Sequence, residues 1–182
     1  MSASIKQVRE VLRDADLICS AEQVQAALQR VAQQINAALA DKHPLVLSVM
    51  DGAVVFSGQL LPLLDFPLDF DYVHVSRYGD ARQSGAIHWK VEPCEKVRGR
   101  VVLLLDDILD EGFTLAALRE RVLELGAEEC LSAVFAEKRG TKKAVHADFV
   151  GLEVPNRFVF GYGMDIEGAW RNLPAIYAVK EN

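Results

Sequence analysis

Apolar positions near the N-terminus recur every three or four residues, and from Pro44 onward they gather into short unbroken runs. Ser20-Ala21-Glu22-Gln23 has the form of a capping box, a hydroxyl at the cap answered by Gln three residues on. Val24, Leu28, Val31, Ile35 and Leu39 then share one face, which predicts a helix ending before Pro44. Ser4-Ile5-Lys6-Gln7 repeats the cap, and Ile5, Val8 and Leu12 predict a shorter helix ahead of it. "PLVLSVM" (44–50) predicts a buried strand, and "AVVFSGQLLPLL" (53–64) is apolar over the length of a helix. "DYVHVS" (71–76) and "AIHWKV" (86–91) alternate as strands do, with a polar loop, "RYGDARQSG" (77–85), between them. "RVVLLL" (100–105) predicts a strand buried on both faces. "TLAALRERVLELG" (114–126) predicts a helix with Leu115, Leu118, Val122 and Leu125 on one side and Gly126 as its stop. "CLSAVFAE", "DFVGLEV" and "RFVFGYG" complete the strands.

Strands that alternate with helices and are apolar right through predict the α/β class, with a central, mostly parallel sheet flanked by helices. Helix signals thin out after Gly151, so that segment is expected to form a small cap over one end of the sheet. A chain of 182 residues suits a single domain, residues 1–182, with a core over about 41–150. A hood would come from residues 1–40 and 151–182.

Composition narrows the classes. At 51% hydrophobic and 25% charged residues the chain is of the globular kind. A net charge of −6 argues against a nucleic-acid partner, since that binding needs clustered Lys and Arg. The longest basic cluster, "EKRGTKK" (137–143), is too short for such a footprint. No apolar run approaches the roughly 20 residues of a membrane span, and the polar, periodic N-terminus is unlike a signal peptide. Cys19, Cys94 and Cys130 are odd in number and lack CxxC pairing, which points to reduced thiols in a cytoplasm. His43, His74, His88 and His146 lack metal-ligand spacing and read as structural or exposed.

The unusual stretch is "VVLLLDDILDEGFTL" (101–115), where a greasy run ends in Asp106, Asp107 and Asp110. Buried carboxylates are costly unless a cation or hydrogen-bond donor meets them. In an open parallel sheet, ligands bind beyond the carboxyl ends of the strands, where Asp106 and Asp107 would stand. Asp110-Glu111-Gly112-Phe113-Thr114 lead into a helix, whose first amides suit a phosphate, and Gly112 permits close approach. Acids that accept from hydroxyls at one end and an anion site at the other describe a ribose phosphate. The plainer reading makes Asp110 a helix cap and the acid pair solvated.

This stretch resembles the ribose-phosphate signature of the type I phosphoribosyltransferases, and its Asp-Asp-Ile-Leu-Asp form resembles the hypoxanthine-guanine members. "SVMDGAVVF" (48–56) is similar to that family's pyrophosphate loop, "VSRYGD" (75–80) to its flexible loop and "EKRG" (137–140) to its purine-contacting lysine segment. "DFVGLEVPNRFVFGYGMDIEGAWRNLP" (148–174) resembles its C-terminal purine and metal segment. The matches keep the family's order from about residue 45 to residue 174.

The resemblance implies the type I phosphoribosyltransferase fold with a small hood, and it implies roles. Asp106 and Asp107 would hold the ribose hydroxyls, directly or through Mg²⁺. Asp110 would take the purine N7 proton. Glu111, Gly112, Phe113, Thr114 and Leu115 would cradle the 5′-phosphate, with Glu111 departing from the small residue common there. Asp51-Gly52 would bind pyrophosphate across a peptide that can be cis before the glycine. Many relatives carry Lys or Arg where Asp51 stands, and a plain Asp-Gly turn is the simpler reading. Lys138 would donate to a 6-oxo group, Phe158 would stack on the base and the Val159 carbonyl would meet an exocyclic amine. Asp165 would hold Mg²⁺, Arg171 would clamp pyrophosphate, and Tyr78, with Arg77 and Gly79, would close over the site.

The expected activity is magnesium-dependent purine salvage. It joins hypoxanthine or guanine to 5-phosphoribosyl-1-pyrophosphate (PRPP), giving IMP or GMP and pyrophosphate, in a cytoplasmic homodimer or homotetramer without nucleic-acid or membrane partners. A xanthine-preferring transferase and a nucleotide-sensing regulator of the same fold are the alternatives. A receiver-domain phosphorylation pocket fits poorly, because long helix and strand segments precede the acid pair.

Overall fold

The computed structural model describes residues 4–77 and 87–181. Among these residues, helices α1 (Ile5–Asp14), α2 (Ala21–Leu39), α3 (Val54–Leu60) and α4 (Phe113–Glu124) are distributed among nine strands. The strands are β1 (Asp16–Cys19), β2 (Leu45–Met50), β3 (Asp69–Arg77), β4 (Ile87–Val91), β5 (Val101–Leu109), β6 (Glu129–Lys138), β7 (Phe149–Val154), β8 (Val159–Phe160) and β9 (Ile176–Ala178). Six form one sheet in the order β4-β3-β2-β5-β6-β7, parallel except for the β3–β4 pair. The others form a small antiparallel sheet, β1-β9-β8.

The apolar runs fall at the centre of the large sheet, where both faces are covered. Leu45 to Val49 of β2 and Val101 to Leu105 of β5 are buried throughout. On one face lie Val24, Leu28, Val31 and Ile35 of α2 with Phe56 and Leu60 of α3; on the other lie Leu115, Leu118 and Val122 of α4. Ser48, fully buried in β2, is matched by the Ser57 hydroxyl of α3 at 2.7 Å, so neither loses its hydrogen bond to burial. Phe135 joins Phe56 (centroids 5.3 Å) to Tyr162 (4.1 Å), and the Tyr162 hydroxyl donates to Gln59 at 2.9 Å. That cluster ties the large sheet to the segment leading into the small one.

Both capping boxes form, Ser4 with Gln7 and Ser20 with Gln23. α1 nevertheless buries no residue, and its Ile5 is exposed. Four expectations need correction. The strand expected to end at Leu105 runs on to Leu109, because Ile108 and Leu109 still pair with Ala136 and Glu137 of β6. "AVVFSGQLLPLL" is helical only to Leu60; a 3-10 turn at Leu61–Leu63 carries Pro62, which cannot continue an α-helix. "RFVFGYG" contributes only Val159 and Phe160, since Gly161 and Gly163 take φ values of 95° and 98° that no strand uses. α2, grouped with the hood on sequence grounds, packs on the large sheet, and β7 carries that sheet past Gly151.

Candidate active site

The carboxyl ends of β2 and β5 open into a cavity of about 420 Å³. Met50, Asp51 and Gly52 form one wall, Asp106 to Gly112 with Thr114 a second, and Asp165 with Arg171 a third. A smaller compartment of about 200 Å³ shares Asp107, Ile108, Asp110 and Asp165 with it and is completed by Lys138, Phe158, Val159 and Met164. Every residue expected at the site from 51 to 171 lies in one of these walls, apart from Phe113, whose ring is exposed, Arg77, described only as the last residue of β3, and Tyr78 and Gly79, which fall outside the described residues.

Asp106 and Asp107 lie in the second half of β5 instead of in a turn after it. The Asp107 amide donates to the Asp106 carboxylate at 2.9 Å, and the Ile108 amide donates to Asp107 at 2.8 Å. Burial pushes the Asp107 carboxyl above the usual carboxylate range; hydrogen bonding with Asp106 and Ile108, and the Arg171 guanidinium, pull the other way. A raised folded-state value means the charged form is a burden on folding at higher pH, and the burden lifts as pH falls through that value. Asp107→Asn, which can still accept from Ile108, is therefore expected to raise Tm at neutral pH, with the gain shrinking in acid. Melting curves across pH check this; a gain independent of pH would refute burial as its cause.

α4 begins at Gly112, where φ is 81° and no side chain caps the helix. A Cβ there would stand 3.1 Å from the Val145 carbonyl, so the turn suits glycine twice over. The first amides of a helix have no intrahelical partner, which leaves this uncapped end, with Thr114 beside it, open to an anion. Asp110 does not cap the helix. Its carboxylate instead accepts from Lys138 Nζ at 2.7 Å, with Lys138 only 16% exposed and Asp110 46%. The Glu111 side chain is exposed and its carbonyl accepts from the Ala144 amide, while Leu115 is buried, so these two could meet a phosphate through backbone alone.

The third wall is drawn in by Arg171. Its Nη1 donates to the Gly163 carbonyl at 2.7 Å and its Nη2 lies 2.7 Å from Asp165, whose other oxygen accepts from the Gly168 amide. Gly163 packs so closely that a Cβ would stand 2.1 Å from the Gly52 carbonyl. Across the cavity the cis peptide is Met50–Asp51, one bond earlier than expected. Asp51 is exposed, 3.9 Å from His74 Nε2, and His74 in turn meets Lys90 Nζ at 3.2 Å. Phe158 is 56% exposed at the mouth of the smaller compartment and Val159 is buried behind it.

Two site features escaped the sequence reading. Lys143, inside a cluster read only as a short basic run, is nearly buried beneath Asp110 and Lys138. The Gly163–Gly52 approach depends on a positive φ that a Gly-Tyr-Gly sequence hints at without specifying. Among the described residues no group of three or more His, Cys, Asp or Glu could cage a metal ion. That donor set still fits magnesium, which takes one or two protein carboxylates and completes its shell with water and substrate oxygens.

Comparison with known proteins agrees with this geometry. Residues 17–167 match the family model of the phosphoribosyl transferase domain. The chain is 34% identical to the hypoxanthine-guanine phosphoribosyltransferase of Bacillus subtilis, over 90% of this chain and 92% of that one. It is 32% identical to the hypoxanthine-guanine-xanthine phosphoribosyltransferase of Tritrichomonas foetus, over 88% and 89%. A crystal structure of hypoxanthine phosphoribosyltransferase from Staphylococcus aureus superposes over 97% of both chains with a TM-score of 0.87 at 24% identity, which shows the common fold. The chain is thus an enzyme of the phosphoribosyltransferase domain family and belongs with its hypoxanthine-guanine members.

Proposed function

We propose that this chain transfers the 5-phosphoribosyl group of PRPP to N9 of hypoxanthine or guanine, releasing pyrophosphate and forming IMP or GMP. The observation that carries the reading is the pair of joined compartments. One offers an uncapped helix end facing an acid pair, and the other an Asp–Lys pair beneath an exposed aromatic ring. In this assignment the 5′-phosphate sits on the backbone from Glu111 to Leu115 and on Thr114, and the ribose hydroxyls meet Asp106 and Asp107. Gly52 with Asp51 and Arg171 line the pyrophosphate side.

The base enters beneath Phe158, with its exocyclic group toward the Val159 backbone. Lys138 and Asp110 are in contact before it arrives, so binding exchanges their ion pair for two contacts to the purine. Lys138 donates to the 6-oxo oxygen and Asp110 accepts the N7 proton, which makes N9 the better nucleophile. As the C1′–O bond breaks, positive charge grows on the ribose ring and the neighbouring carboxylates favour it. Asp165 and the Asp106–Asp107 pair would supply oxygen donors to a magnesium ion, which when bound neutralises the leaving diphosphate.

The test is turnover of the purified chain with PRPP and magnesium against each purine base. Hypoxanthine and guanine should yield IMP and GMP with equimolar pyrophosphate. Adenine should not react, because its amino group cannot accept from Lys138. Xanthine is the open acceptor, and a rate above the other two would make the chain xanthine-preferring. No conversion of any 6-oxopurine overturns the proposal. We further propose that the chain works as one domain whose hood comprises α1, β1 and the segment after Val154. It would act in the cytoplasm as a homodimer or homotetramer, and exposed Val54, Phe70 and Tyr72 support that association. Among the described residues no helix is long and apolar enough to cross a membrane.

A further inference from the structure

Lys143 is a lysine in an unusual place. Its side chain is only 8% exposed, yet among the described residues it faces no carboxylate closer than Glu137, at 3.9 Å. A buried ammonium must spend its donors on acceptors, and Lys143 spends all three. Nζ donates to the Lys138 carbonyl at 2.7 Å, to Thr141 Oγ1 at 2.7 Å and to the Asp110 carbonyl at 3.0 Å. Thr141 Oγ1 passes a second hydrogen bond to the same Asp110 carbonyl at 3.1 Å. One cation therefore clasps the backbone of Asp110, after β5, and of Lys138, at the end of β6, while the side chains of those residues meet each other on the cavity side.

We infer that Lys143 is the positioning residue of the purine compartment: it fixes the spacing between the proton acceptor Asp110 and the 6-oxo donor Lys138. The inference rests on the roles given to those two residues above. A purine must replace the Asp110–Lys138 contact with two contacts of its own, at a separation set by the base. When the ion pair opens, nothing between the two side chains maintains that separation. The clasp beneath does, because it joins the two main chains and is untouched by the exchange. Neutral hydrogen bonds would hold the carbonyls less firmly than a charge-assisted donor in a site sheltered from water. The effect on chemistry is indirect and confined to one substrate, since Lys143 contacts neither the acid pair nor the Gly112 turn.

Lys143→Met, Lys143→Arg and, as a neighbour control, the exposed Lys142→Met separate the possibilities. Lys143→Met should lower kcat/KM for the purine about 10- to 100-fold, as small misplacements of reacting groups do, and leave the KM for PRPP unchanged. Lys143→Arg should recover most of the loss, and Lys142→Met should match wild type. Hydrogen exchange provides a reading that does not need activity: Lys143→Met should speed amide exchange around Asp110 and in segment 138–143 together. Wild-type purine kcat/KM in Lys143→Met, a matching rise in the KM for PRPP, or unchanged exchange would each overturn the inference. Should the Met variant fail to fold, Thr141→Val, which removes one strand of the clasp, is read by the same split. If wild type turns over no purine, the proposed function fails while the exchange experiment still decides the clasp.

Discussion

Asp110→Asn should lower kcat by about 10²- to 10⁴-fold, the range that positioned proton transfer contributes, while the KM for both substrates stays within a few-fold. Asparagine keeps the shape of the side chain and an oxygen that can accept from Lys138, so the nearly buried ammonium is not stranded. The backbone carbonyl that Lys143 and Thr141 hold is also untouched. What disappears is the capacity to take a proton from the purine. Stability should move little, by about 1 kcal/mol at most, because the Asp110 carboxylate is nearly half exposed and such pairs contribute modestly. Steady-state kinetics beside a thermal melt reads both. A rate loss below about 10-fold would remove Asp110 as the proton acceptor, and a loss expressed mainly in the KM for PRPP would move it to the sugar.

The contrast between Asp110 and Lys143 shows what the chain discloses before it folds. The stretch from Asp106 to Thr114 was legible because its determinants are local: an apolar run, adjacent acids, a glycine and a helix with its own period. α2 was legible for the same reason, down to the Ser20–Gln23 cap. The end of β5 was not, since paired acids look like a break until Ile108 and Leu109 are seen paired with β6. Lys138, Phe158 and Arg171 carry no local signal for a pocket and were placed by resemblance alone. Lys143 could not be placed even so, because its burial depends on carbonyls at the ends of two different strands, one of them 33 residues away. Lysine in a run of basic residues is ordinarily solvated, and only the meeting of those strand ends makes it otherwise.

Gly52→Ala should raise the KM for PRPP and cut kcat by about 100-fold or more together. A methyl group at this position would stand 2.0 Å from Asp107 Oδ2, 2.4 Å from its Cγ and 2.9 Å from its Oδ1. A flexible surface carboxylate would swing away, but Asp107 is half-buried, with one oxygen held by the Ile108 amide and its own amide bonded to Asp106. Backing away would break those contacts and carry the acid pair out of the site. The alternative is for the Gly52 backbone to retreat, and there Gly163 stands in contact with its carbonyl. Either movement disturbs two walls of the larger cavity at once, and overpacking of this kind costs about 1–3 kcal/mol of stability as well. Gly58→Ala supplies the control within the same chain. Gly58 lies in α3 with nothing within 4 Å of an added Cβ, so alanine there should stabilise the protein by about 0.5–1 kcal/mol and leave turnover unchanged. Two glycines six residues apart should thus answer the same methyl group with opposite signs. Parallel melts and PRPP kinetics on both variants decide it: an active, stable Gly52→Ala would mean that the contact between the β2–α3 turn and Asp107 does not define the site.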